Sequence, residues 1–225
     1  NEQIRQVENS LSGRFVVNGK ANNILDRMAF FKVKGLSIAV IQNYKIVWAK
    51  GYGWADEKEK RLVTTSTLFK PGSISKSLNA VGVLKLAQDN KFDIYNDINE
   101  YLKSWKFPYD SLSNGKKIST ANLLSHTAGL SVYGGFPGYN VKSKIPTIPQ
   151  ILDGEEPANT PPVRSLFEPG LQFQYSGGGT IISQLLITDL TNQSYEKFML
   201  DSVLKPMGMK NSFYSAAPPS KNELN

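Results

Sequence analysis

The chain has 225 residues, with 26 Lys or Arg against 19 Asp or Glu, a formal net charge of +7, one histidine and no cysteine. That length supports a sizeable buried core in one large domain or two small ones, and the residue counts exclude disulfides, thiol nucleophiles, cysteine metal sites and a His-rich metal centre. The lysines are scattered, with no basic run interleaved with aromatics, so nucleic acid is not an expected partner; no apolar run reaches about 18 residues, so no transmembrane span is expected.

Ile4, Val7 and Leu11 recur at helical spacing, and Ile24, Leu25, Met28 and Phe31 repeat the pattern, so two short amphipathic helices open the chain. Gly35–Ile41 reads as a β-strand, 42–45 as a tight turn, and Ile46–Trp54 as the returning strand. Residues 55–68 are charged and Thr-rich and read as a connecting loop. From Ser73 to Asp89 apolar residues cover nearly the whole helical circumference, which predicts a buried central helix. Short segments follow: a helical piece at Asp97–Leu102, a helix over 121–126 capped by Thr120, and one capped by Thr147 with Pro149 in its first turn. Residues 131–146 and 154–170 read as Gly- and Pro-rich loops, 180–190 as an apolar helix, and Ser194 as the cap of a helix to about Leu204. The tail 215–225 reads as a linker or frayed end. The expected organisation is a helix-plus-hairpin start at 1–62, a mostly helical body at 63–205 and a return segment at 206–225. One hairpin leaves both its edges open, so the fold class is α+β with an incomplete antiparallel sheet.

Chemistry concentrates at Gly72-Ser73-Ile74-Ser75-Lys76. A serine hydroxyl needs a base, and a lysine on the same helix face three residues on can be one. A helix N-terminus adds free N–H groups and a favourable dipole. Ser-x-x-Lys alone is weak, because Ser113/Lys116, Ser194/Lys197 and Ser202/Lys205 share it. Only Ser73 joins a preceding glycine, a helix start and a buried helix behind it. The bland alternative is an N-cap serine followed by a solvated lysine. The second feature is Gln174-Tyr175-Ser176-Gly177-Gly178-Gly179 after the turn Pro169-Gly170. Tyr175 reads either as a core tyrosine before a flexible turn or as a proton relay to Ser73.

These residues resemble the serine β-lactamase and penicillin-binding-protein-like hydrolases, on the class C β-lactamase, DD-peptidase and esterase side. Gly72–Lys76 resembles the Ser-x-x-Lys motif. Leu123-Leu124-Ser125-His126-Thr127-Ala128-Gly129-Leu130 resembles the Leu-Leu-x-His-Thr-Ser-Gly-Leu segment, and Tyr175-Ser176-Gly177 stands in the Tyr-x-Asn position. Val33–Trp54 is similar to the family's first hairpin, and Leu204–Met209 to its Pro-Leu-Gly-Met segment.

The resemblance implies an α/β domain beside a helical domain, with the site in the cleft between them. It implies that Ser73 forms an acyl-enzyme, that Lys76 and Tyr175 share proton transfer, and that the Ser73 backbone N–H is half of the oxyanion hole. Ser176 and Gly177 would contact substrate, and His126 would be structural. No cofactor is implied. The expected partner is a small-molecule or peptide substrate with an amide or ester carbonyl.

Two departures stand out. Gly177 replaces the usual Asn, and no Lys or His followed by x-Gly comes after Tyr175, so the family's third motif is missing. The expectation is therefore an N-terminal portion of a longer protein, whose C-terminal fragment supplies the missing strands and the second oxyanion donor. The alternative is a non-catalytic relative that binds peptidoglycan peptides or another ligand. Residues 1–20 show no signal peptide. The cysteine-free composition suits a processed periplasmic or secreted protein and is compatible with the cytoplasm as well.

Overall fold

The computed structural model describes residues 2–11, 22–133, 136–140 and 142–215. The described residues fall into two compact units, one up to Phe69 and one from Lys70 onward.

In the first unit, helices α1 (Glu2–Asn9) and α2 (Ile24–Phe30) accompany strands β1 (Gly35–Gln42) and β2 (Lys45–Asp56). Asn43 and Tyr44 both take positive φ, the two-residue turn whose twist matches a hairpin. Val40 pairs with Trp48, and the register shifts by one between Val40 and Ile41. The sequence reads 55–68 as a loop. The structure instead returns Arg61–Leu62 as a short strand β3 on β2, too brief to show a period of two. The result is an antiparallel sheet in the order β1-β2-β3 that does not close. Ile24, Met28 and Tyr52 form its small core. The Tyr52 hydroxyl donates to Glu8, which also takes the Lys50 ammonium.

The second unit holds α3 (Ser75–Gln88), α4 (Ile98–Tyr101), α5 (Thr120–Ser125), α6 (Ile148–Asp153), α7 (Gly177–Thr191) and α8 (Tyr195–Met199), which a π-helical turn extends to Leu204. The hub is α7, which packs against α3, α4, α5, α6 and α8. Its Ile182, Leu185, Leu186 and Ile187 are buried with Val83 and Leu86 of α3, Leu123 of α5 and Phe198 and Met199 of α8.

Helix α3 buries one face, through Asn79, Gly82, Val83 and Leu86. Ile74, Val81 and Leu84 are exposed, so the prediction of a helix buried all round is corrected for this chain. At Asn79 a buried polar network ties three elements together. Asn79 Nδ2 donates to Ser183 Oγ on α7 at 2.8 Å, and the Tyr195 hydroxyl on α8 donates to Asn79 Oδ1 at 2.9 Å. Gly82 brings α8 close, since a Cβ there would meet Met199 Sδ at 2.8 Å.

Two other expectations change. The cap of α5 is Ser119, not Thr120: Ser119 and Asn122 form a reciprocal capping box, and the Thr120 hydroxyl is buried without a hydrogen-bond partner. The three glycines after Ser176 are not a flexible turn. They are the buried first turn of α7, with Ser176 as its N-cap. The caps Thr147 and Ser194 stand as expected. Of the expected linker at 215–225, all but Ser215 lies outside the described residues.

Candidate active site

Gly72, at positive φ, turns the chain into a 3-10 turn, Gly72–Ile74, that runs directly into α3. Ser73 does not cap this helix. The residue at the cap of α3 is Ile74, with no side-chain hydrogen bond. Ser73 Oγ is instead the meeting point of two other groups. Lys76 Nζ donates to it at 3.1 Å and the Tyr175 hydroxyl at 2.8 Å. Lys76 and Ser73 meet because i and i+3 overlap in this tight turn. The Ser73 N–H stands in the first turn, where backbone donors lack intrahelical acceptors.

The other three Ser-x-x-Lys pairs are built differently. Lys116 pairs with Glu168, and Lys197 and Lys205 both pair with Asp201. Ser113 is buried against Ser165, and Ser194 caps α8. Among the described residues Lys76 has no carboxylate partner, and its ammonium lies 5.1 Å from the centre of the Tyr175 ring. The Lys76 side chain, and then the Ser73 hydroxyl, hold the Tyr175 phenol below the usual tyrosine range.

Tyr175 is placed by the segment that holds the Leu123–Leu130 motif. Helix α5 ends at His126, which takes the left-handed conformation and turns the chain out. The following stretch then runs beside 164–177 like a strand pair. Ser131 N–H donates to Arg164 O, Leu166 N–H to Gly129 O, Gly170 N–H to Thr127 O, and Gly177 N–H to Val132 O. Gly129 has φ +66, and an added Cβ would meet Phe167 O at 2.3 Å, so only glycine fits this close approach. Ser176 is buried. Its hydroxyl donates to Ser131 O at 2.7 Å and accepts the Gly179 N–H at 3.0 Å.

His126 brackets Tyr175 on both sides. Its carbonyl accepts the Gln174 N–H at 2.7 Å, and its Nδ1 accepts the Ser176 N–H at 3.2 Å. Its ring lies against the Tyr175 ring, with centroids 4.4 Å apart at 39°, and edge-on to Phe173. Burial, and then the Lys76 charge, push the His126 imidazole below its ordinary value. The resemblance implies a structural role for His126; nothing in the sequence signals these contacts with the residues flanking Tyr175.

A cavity of about 300 Å³ opens beside Lys76, lined by Ser75, Asn79, Gln184, Tyr195 and Tyr214 among others. Among the described residues no cluster of three His, Asp or Glu side chains is placed to hold a metal ion, and no helix is long and apolar enough to cross a membrane.

A serine oxygen shared by a lysine one turn on and a distant tyrosine, in a chain that joins an antiparallel sheet to a helical body, defines the β-lactamase/transpeptidase-like class. The sequence pattern of the Beta-lactamase family matches residues 21–224, and the chain belongs to that family. It is 26% identical over 194 residues to Protein flp of Staphylococcus aureus, covering 85% of this chain and 37% of that protein. It is 28% identical over 215 residues to PbpX of Bacillus subtilis, covering 95% and 47%. Among solved structures it resembles D-amino acid amidase from Ochrobactrum anthropi, with a TM-score of 0.69 at 22% identity over 89% of this chain and 52% of that one. This last likeness is one of fold. The chain thus spans about half, or less, of the length of these relatives.

Proposed function

We propose that this chain carries the nucleophile of a serine hydrolase that opens amide or ester bonds through an acyl-enzyme on Ser73. The observation that carries the reading is the pair of hydrogen bonds on Ser73 Oγ, from Lys76 at 3.1 Å and Tyr175 at 2.8 Å. A hydroxyl whose only task is packing does not gather a cation and a phenol with a lowered pKa.

In this reading Tyr175 reacts as the phenolate, which the adjacent ammonium of Lys76 favours. It takes the Ser73 proton as Oγ attacks the carbonyl carbon, and the C=O electrons move to oxygen. The Ser73 N–H supports that oxyanion. Collapse breaks the bond to the leaving amine or alcohol, which receives the proton from Tyr175. Water then attacks the Ser73 ester, gives a proton back through the same pair, and releases the acid. Ser176 and Gly177 support the site from behind, because their polar groups hold the turn that carries Tyr175.

We also propose that a C-terminal segment completes the open sheet and supplies the second oxyanion donor. The share of its relatives that the chain spans supports this. D-amino acid amides and p-nitrophenyl esters are the substrates to try first, the former because of the amidase whose fold this chain shares. The test is hydrolysis of both classes by the chain with and without its C-terminal complement. Turnover lost in Ser73→Ala supports the hydrolase. Saturable binding of a peptidoglycan peptide, with no turnover in either form, would replace it with the ligand-binding reading.

A further inference from the structure

Tyr175 and Ser73 are 102 positions apart, and the proton transfer proposed above requires them to meet within hydrogen-bond distance. His126 bonds the residues on both sides of Tyr175, Gln174 through its backbone carbonyl and Ser176 through its ring, and its ring lies against the tyrosine ring as well. The two flanking hydrogen bonds differ in kind. The one from Gln174 ends on the His126 carbonyl and is indifferent to protonation. The one from Ser176 ends on Nδ1 and exists only while that nitrogen has its lone pair.

We infer that His126 is a positioning residue for Tyr175: its neutral imidazole holds the Ser176 N–H and the tyrosine ring so that the phenol meets Ser73, and protonation of the imidazole releases them. This rests on the hydrolase reading for its kinetic consequence, not for its geometry. The charged and titratable groups facing the ring are Lys76 from α3 and Tyr175 itself; Phe173 covers its edge. No carboxylate pairs with it among the described residues. Burial and the Lys76 cation both favour the neutral form, so the clamp stays closed through neutral pH. Once protonated, Nδ1 becomes a donor facing the Ser176 donor, and the imidazolium faces the Lys76 ammonium.

Because His126 is the chain's one histidine, its titration is read without ambiguity. His126→Asn keeps an acceptor on the atom branching from Cγ, tolerates the left-handed backbone, and does not titrate. His126→Phe keeps a ring and removes the acceptor. Two measurements are made on each. The first is the ionisation of Tyr175 by NMR of ring-labelled tyrosine, assigned with Tyr175→Phe. The second is the rate at which a fluorophosphonate labels Ser73 across pH. The Ser176 amide resonance of the unmutated protein should move with the His126 titration.

We expect His126→Phe to return Tyr175 toward the ordinary tyrosine range and to slow labelling by about 100-fold, the scale of a small misplacement of a reacting group. His126→Asn should keep both within a few-fold, and its labelling rate should lack the acid limb that the unmutated protein shows below pH 6.5. If His126→Asn restores neither, or if the Ser176 amide ignores the His126 titration, the inference is overturned, whether or not His126→Phe folds. If the tyrosine signals behave as expected and Ser73 is never labelled even with the C-terminal complement present, the hydrolase reading fails and the positioning role stands.

Discussion

The Tyr175 hydroxyl donates to Ser73 Oγ at 2.8 Å. Each residue is delivered by a separate local device: Ser73 by the tight turn that opens α3, and Tyr175 by the turn that opens α7. Those helices are packed together and tied through Asn79 and Ser183. The pair thus depends on the packing of α3 against α7 as well as on the segment after α5 that holds Tyr175.

Removing the phenol tests that relationship first. Tyr175→Phe keeps the ring against His126 and deletes only the hydroxyl. Acylation of Ser73 should slow by roughly 10²–10⁴-fold, the usual worth of a positioned proton-transfer group, while substrate binding changes little. Stopped-flow acylation with a p-nitrophenyl ester separates the two.

The buried network at Asn79 should matter for stability. Asn79→Ala leaves the Tyr195 hydroxyl without this acceptor in a buried site, and stranding one buried polar group costs about 1–3 kcal/mol. Urea denaturation followed by circular dichroism should show that loss. Labelling of Ser73 should fall as well, since the same contacts hold α3 to α7 and α8.

Gly129 is predicted to be intolerant of even one carbon. With φ +66 and Phe167 O at 2.3 Å from an added Cβ, Gly129→Ala combines a left-handed backbone, about 1–3 kcal/mol in itself, with a clash against backbone. The Leu166 N–H to Gly129 O bond should weaken in consequence. Amide exchange at Leu166 measures this directly, and faster exchange is expected.

His126 also makes a stability prediction. Its folded pKa lies below the ordinary 6.5, so the unfolded chain binds the proton first. Stability is fully present above pH 6.5 and is lost as pH falls from there through the folded value. In His126→Asn that decline between neutrality and about pH 5 should vanish, since carboxylates dominate only at lower pH. Thermal melts across this range compare the two.

Much of this organisation was legible in the sequence. The hairpin showed in its β-branched strands, and Thr147 and Ser194 cap helices as such residues do. What was not legible has physical reasons. Arg61–Leu62 is too short a strand to have a pattern. Ser119 and Thr120 are both capping residues, and only backbone conformation chose the first. Gly177–Gly179 looked flexible because glycine is, yet packing against Val163 and Leu123 makes them a helix. The apolar circumference of α3 implied burial on all sides, which the described residues do not provide. At the site, Ser73 stood out among four identical spacings by its context, and its link to Tyr175 was one of two readings of that tyrosine until the resemblance favoured it. The contacts His126 makes with the residues flanking Tyr175 had no signal at all, because they run through its backbone carbonyl and one ring nitrogen.

The central claim is that Ser73 is the nucleophile, and the most direct measurement is intact mass after incubation with a fluorescent penicillin or a fluorophosphonate, followed by peptide mapping. The account predicts one covalent adduct, located on Ser73, lost in Ser73→Ala and kept in Ser113→Ala and Ser194→Ala. An adduct on another serine, or none even when the C-terminal complement is present, would contradict it.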